Sequence, residues 1–83
     1  MKRRDRASAG LHNLRPERVV RAFERAGWTV ERQRGSHVHL RRPGNPNLLS
    51  VPVHRGKPIK VGLLKKLLAR AGLSVEEFLA FYR

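Results

Sequence analysis

Apolar residues recur at helical spacing through Val19, Val20, Phe23 and Ala26, with charged residues between them. Pro16 lies just ahead of this run with Glu17 beside it. A proline in the first turn has its φ already set for a helix, so the run predicts a helix that opens there and stops at Gly27. The period then changes to two. Trp28 and Val30 alternate with Thr29 and Glu31, Val38 and Leu40 with His37, His39 and Arg41, and Val51 and Val53 with Pro52 and His54. Such alternation marks strands with one buried face, here separated by turns at Arg34-Gly35-Ser36 and at Pro43-Gly44-Asn45-Pro46-Asn47. A basic connection from His54 to Lys60 follows. Val61, Leu63, Leu64, Leu67, Leu68 and Ala71 then lay out an amphipathic helix with Lys65, Lys66 and Arg70 on its wet side and Gly72 as its stop. Ser74 with Glu77 three residues later forms a capping box for a last helix through Phe78, Leu79, Phe81 and Tyr82.

The order helix, three-strand meander, helix, short helix predicts an α+β fold, with an antiparallel sheet covered by helices on one face and open on the other. By parity the covered face holds Val30, Val38, Leu40, Leu49, Val51 and Val53. The open face holds Gln33, His37, His39, Arg41, Ser50, Pro52 and His54. A three-residue loop centred on Gly35 sets Val30 opposite Leu40 and His39 beside Glu31. For the second hairpin, apolar matching sets Val38 opposite Val53 and Leu40 opposite Val51. His37 then lies opposite His54 and His39 opposite Pro52. Proline has no N–H to give to the ladder, so the His37/His54 pair is expected to be of the close, non-hydrogen-bonded type, with Cα atoms about 4.5 Å apart.

Composition adds a partner to this outline. The 83 residues suffice for one small domain, and they carry 19 Lys and Arg against 6 Asp and Glu, a formal charge of +13. Charge this one-sided repels itself in a compact chain, and a polyanion relieves it. Nucleic acid is the expected partner rather than a membrane, since no long apolar run, signal-like segment or broad basic amphipathic helix is present. A cysteine-free chain excludes disulfides, thiolate catalysis and Cys-based zinc sites, and fits a reducing cytoplasm. The six acids, Asp5, Glu17, Glu24, Glu31, Glu76 and Glu77, are dispersed along the chain, which disfavours a two-metal nuclease. Residues 1–13, with Lys2, Arg3, Arg4 and Arg6, read as a flexible basic arm, and residues 14–83 as the folded domain.

Gly35-Ser36-His37, then Val51-Pro52-Val53-His54-Arg55-Gly56-Lys57 leading through Lys60 and Gly62 into a leucine-rich helix, closely resembles the HicA family of toxins. The ending Ala71-Gly72-Leu73-Ser74-Val75-Glu76-Glu77-Phe78-Leu79 is similar as well, so the resemblance runs over residues 16 to 83. It implies a fold like the double-stranded-RNA-binding domain, ribonuclease activity on messenger RNA and a HicB-type antitoxin partner. It also implies that His37 is the catalytic histidine. The chain departs from the family's common pattern in its basic arm and in Val61, where proline is frequent.

RNA supplies its own nucleophile in the 2′-hydroxyl, so cleavage needs a base, an acid and donors for the charged intermediate, with no cofactor. Histidine suits both proton roles. His37 is the expected principal acid or base, and a non-catalytic RNA contact is the plainer reading of it. His54 is either its second or a residue that positions the turn. Arg55, Lys57 and Lys60 are placed to hold phosphate, with free N–H groups near Gly62, and the RNA-contacting set extends to Arg34, Gly35, Ser36 and Arg41. A three-histidine metal site of His37, His39 and His54 is conceivable from i, i+2 strand spacing, but the basic surroundings repel a cation. A surface ion pair or ring packing is the simpler role for His39. Gly56-Lys57 lacks the remaining residues of a phosphate-binding loop, and Trp28, Phe23, Phe78, Phe81 and Tyr82 fall at core positions rather than on a stacking surface. A metal-independent messenger-RNA endonuclease is therefore expected, its antitoxin an acidic protein covering the His37 face. The alternative is an RNA-binding module that uses the same face without cutting.

Overall fold

The computed structural model describes residues 10–83. Helix α1 (Pro16–Arg25) is followed by strands β1 (Thr29–Arg34), β2 (His37–Arg42) and β3 (Asn45–Pro52), then by helices α2 (Val61–Ala71) and α3 (Val75–Tyr82). The strands form one antiparallel sheet in the order β1-β2-β3. The fold is thus α+β, in the expected helix-strand-strand-strand-helix order. Of the expected basic arm, residues 1–9 lie outside the described part. Leu11, from the same stretch, is fully buried in the core.

Local chemistry explains the helix limits. Pro16 is in the first turn of α1, and at its end Gly27 N–H bonds Glu24 O while Trp28 N–H bonds Phe23 O. That reciprocal pair satisfies carbonyls the helix itself cannot. Both halves of the Ser74/Glu77 capping box are formed, at 3.0 and 2.8 Å. The core joins Val38, Leu40, Leu49 and Val51 from one face of the sheet to Phe23, Leu64 and Phe78 from the helices and to Trp28 from the connection between α1 and β1. Phe23 and Phe78 pack with ring centroids 5.2 Å apart. Removing such an aromatic costs about 3–5 kcal/mol, a large part of a small domain's stability.

Helices α1 and α3 are joined by polar contacts as well. The Arg15 N–H at the start of α1, which has no side-chain cap, donates to the Tyr82 hydroxyl at 3.0 Å. Arg18 stacks over the Tyr82 ring at 4.3 Å and bonds the Tyr82 carbonyl, while Arg25 bonds the Phe81 carbonyl at 2.7 Å. These arginines meet the negative end of α3, whose own last turn carries no basic residue.

Both hairpins differ from expectation in register. Between β1 and β2 the loop is a two-residue turn, Gly35-Ser36, with Gly35 at φ +56°, as a tight hairpin turn opening on glycine requires. Val30 still pairs with Leu40 because a bulge between Val30 and Arg32 absorbs the extra residue. Beyond the bulge the faces exchange. Gln33 pairs with Val38 and so lies on the covered side, while Arg32 and Arg34, opposite His39 and His37, stand on the open one. Val30, expected to be covered, is 37% exposed.

Between β2 and β3 the turn is Pro43-Gly44, with Arg42 opposite Asn45 and Gly44 at φ +85°. An irregularity in β3 follows, and Val38 then faces Val51, Leu40 faces Leu49, and His37 faces Pro52 rather than His54. The displacement from the expected register is two residues. An even slip preserves parity, so the histidines remain on the open face. It also leaves Pro52 in a pair that needs no N–H, since the neighbouring Val53 N–H bonds Ser36 O at 2.6 Å and pair types alternate.

Candidate active site

His37 opens β2 directly after the Gly35-Ser36 turn, and His54 lies two residues beyond its cross-strand partner Pro52. His54 is therefore the diagonal neighbour of His37 on one face, a relation that keeps two long side chains in reach. Their rings meet edge to face, with centroids 6.4 Å apart and an interplanar angle of 83°. The two imidazoles do come together, through a diagonal and not through direct opposition. Both residues are exposed.

The connection after His54 is shaped by its backbone. Lys57 N–H bonds His54 O, closing a turn with Gly56 at φ +76°, and Ile59 anchors the segment by burial and by an N–H bond to Leu14 O. This fold-back brings Lys57 and Lys60 beside His54 around a hollow of about 400 Å³, whose floor includes Pro52, Ile59 and Leu63. Lys60 is the N-cap of α2 and provides no side-chain cap. The first intrahelical bond runs from Leu64 N–H to Lys60 O, so the N–H groups of Val61, Gly62 and Leu63 have no partner within the helix. A Cβ on Gly62 would meet nothing within 4 Å, so the approach to these donors is open. Uncommitted amides beside two ammonium groups favour an anion.

The other expected contacts divide. Arg34, opposite His37, and the Gly35-Ser36 turn border the histidine pair, and Arg55 is exposed in the turn next to His54. Among the described residues none of Arg32, Arg34, Arg55, Lys57 and Lys60 is ion-paired. Arg41 is different. It lies four residues along β2 from His37, about 13 Å away at the strand rise, and is held by Glu31 at 3.6 Å and by the Pro46 carbonyl at 3.3 Å. His39 faces Arg32 and Ser50, and Glu31 makes its ion pair with Arg41. Arg32, outside the expected set, also stands on this face, because the bulge after Val30 turns it outward and such a bulge leaves no local signature.

Among the described residues, no group of three or more His, Cys, Asp or Glu is placed to hold a metal ion, and no helix is long and apolar enough to cross a membrane. Among curated proteins, none matches the chain. The family model described as the HicA toxin of bacterial toxin-antitoxin systems matches residues 16–73, which takes in the histidine pair, the basic turn and the whole of α2. With well over half of its length matched, the chain belongs to the HicA toxin family, the toxin side of a toxin-antitoxin system with a cognate antitoxin as partner.

Proposed function

We propose that this toxin is an endoribonuclease that cuts messenger RNA by acid-base chemistry without a metal ion. The observation that carries the reading is the His37/His54 pair, 6.4 Å between ring centroids, exposed beside an uncapped helix start and two lysines. One imidazole takes the proton of the RNA 2′-hydroxyl as that oxygen bonds to phosphorus. The P–O5′ bond breaks, and the other imidazole delivers a proton to the leaving 5′-oxygen. The products are a 2′,3′-cyclic phosphate and a 5′-hydroxyl end. His37 is the principal group and His54 its second. Lys57, Lys60 and the amides at the start of α2 hold the negative charge that grows on the phosphoryl oxygens, with Arg34 and Arg55 beside them and the Gly35-Ser36 backbone against the RNA.

Messenger RNA as substrate implies a cytoplasmic site of action. The antitoxin is of HicB type and acidic, and it lies over the His37 face. It neutralises by excluding RNA and by relieving the self-repulsion of a chain with formal charge +13.

The test is incubation of the purified protein with a defined RNA in chelator, followed by chemical identification of the new ends. Cyclic phosphate and 5′-hydroxyl ends support the mechanism, and His54→Ala should slow their appearance. RNA that binds tightly and stays intact would make the protein a binding module. Activity lost in chelator and restored by zinc would overturn the metal-free account. For the partner, chemical modification of His37 and Lys57 should be blocked in the complex, with added RNA competing. A complex that binds RNA and leaves His37 modifiable would place inhibition on another surface.

A further inference from the structure

Among the described residues, the face of the sheet turned away from the helices gives no side chain to the hydrophobic core, yet its charged and aromatic residues are aligned in register. The core takes Val38, Leu40, Leu49 and Val51 from the opposite face. On the open side β1 contributes Arg32 and Arg34, in register with His39 and His37 of β2. Arg32 and Arg34 are separated by about 6.6 Å along the strand, twice its rise, which is a fit for successive phosphates of an unstacked nucleotide chain. Beside them lies a hollow of about 260 Å³, bounded by Arg32, Arg34, His39, Arg41, Glu31 and Leu48. Its size suits one nucleobase. His39 is half-buried there, with Nδ1 shielded and unpartnered, and among the described residues the one acid on this rim, Glu31, is already paired to Arg41.

We infer that this open face seats single-stranded RNA next to the scissile phosphate, with Arg32 and Arg34 on the phosphates and the His39 ring stacking the adjacent base. The inference rests on the ribonuclease reading and deepens it. A sheet whose middle strand presents rings offers unpaired bases a stacking platform, and imidazole is among the rings used this way. His39 is one strand step from His37, so a base over His39 hands the neighbouring phosphate to the histidine pair. A duplex does not fit the same face. Three strands span about 10 Å, and paired bases are not available to stack on a side chain.

The experiment uses the full chain in a chemically inert His37→Ala background, with a 12-nucleotide single strand carrying 2-aminopurine and a duplex of the same sequence. His39→Ala should weaken single-strand binding roughly tenfold and abolish the 2-aminopurine fluorescence change, whereas His39→Phe should retain both. Arg32→Gln should weaken the single strand and lower its salt dependence. Neither should alter duplex binding more than about twofold, and melting curves should stay superimposable. Equal losses on duplex and single strand would overturn the inference, as would no loss on either. Polyglutamate bound as tightly as RNA, with no dependence on His39, would make the face a seat for acidic protein and overturn it too. Failure of the ribonuclease reading is separable: the active chain would then leave RNA intact while the His39 and Arg32 effects on binding persisted.

Discussion

Two cations of α1 and those around His37 carry the same charge, but the fold treats them in opposite ways. Arg18 and Arg25 are bound into the helical layer, stacking on Tyr82 and satisfying the last carbonyls of α3. Arg32, Arg34, Lys57 and Lys60 meet no carboxylate among the described residues and surround two exposed imidazoles. Net charge therefore says little about function until each cation is assigned. One group stabilises a helix end, and the other, left without carboxylates beside the histidines, is the one we propose to serve RNA.

The largest effect that separates the two regions is on chemistry. His37→Ala should lower RNA cleavage by about 10²–10⁴-fold with an unchanged melting temperature, because the exposed ring supports no core. A rate within a few-fold of the parent would remove His37 from the proton-transfer role. Next, changing Lys57 and Lys60 together to Ala should weaken RNA binding on most sequences and reduce the salt slope by about 0.7 for each lost contact to a single strand. An unmoved slope would put the phosphate path elsewhere.

Arg18→Ala should give the mirror image, a loss of about 1–2 kcal/mol in stability read by denaturant melting, with RNA salt dependence intact. If it lowers the salt slope instead, the division between structural and functional cations fails. The smallest change is expected at Glu31→Gln, which releases Arg41 from a half-exposed ion pair and should move stability by no more than about 1 kcal/mol. A larger loss would show that this pair sets the bulge in β1.

Helix limits and sheet faces were legible because their signals are local. Pro16, Gly27, Gly72 and the Ser74/Glu77 box each act within one turn of chain, and alternation assigns Val38, Leu40 and Val51 to the core whichever partner they meet. Register was less accessible. Leu49, Val51 and Val53 are all apolar at period two, so matching to Val38 and Leu40 cannot distinguish arrangements two residues apart. The bulge after Val30 is set by pairing across the strand, and it reversed the expected side of Gln33 while bringing Arg32 outward. The two histidines meet in either register, because an even slip leaves both rings on one face and turns opposition into a diagonal.

The bond from Arg15 N–H to the Tyr82 hydroxyl joins positions 67 residues apart. The first helix is thus capped by a residue that a ribosome adds only after every strand and helix between them has been made. Contacts of such long sequence separation are slow to close and tie the fold into one cooperative event. The N-terminal end of α1 is therefore completed only when residue 82 has joined the chain and docked against it, so a chain cut short of Tyr82 leaves the Arg15 N–H without this acceptor.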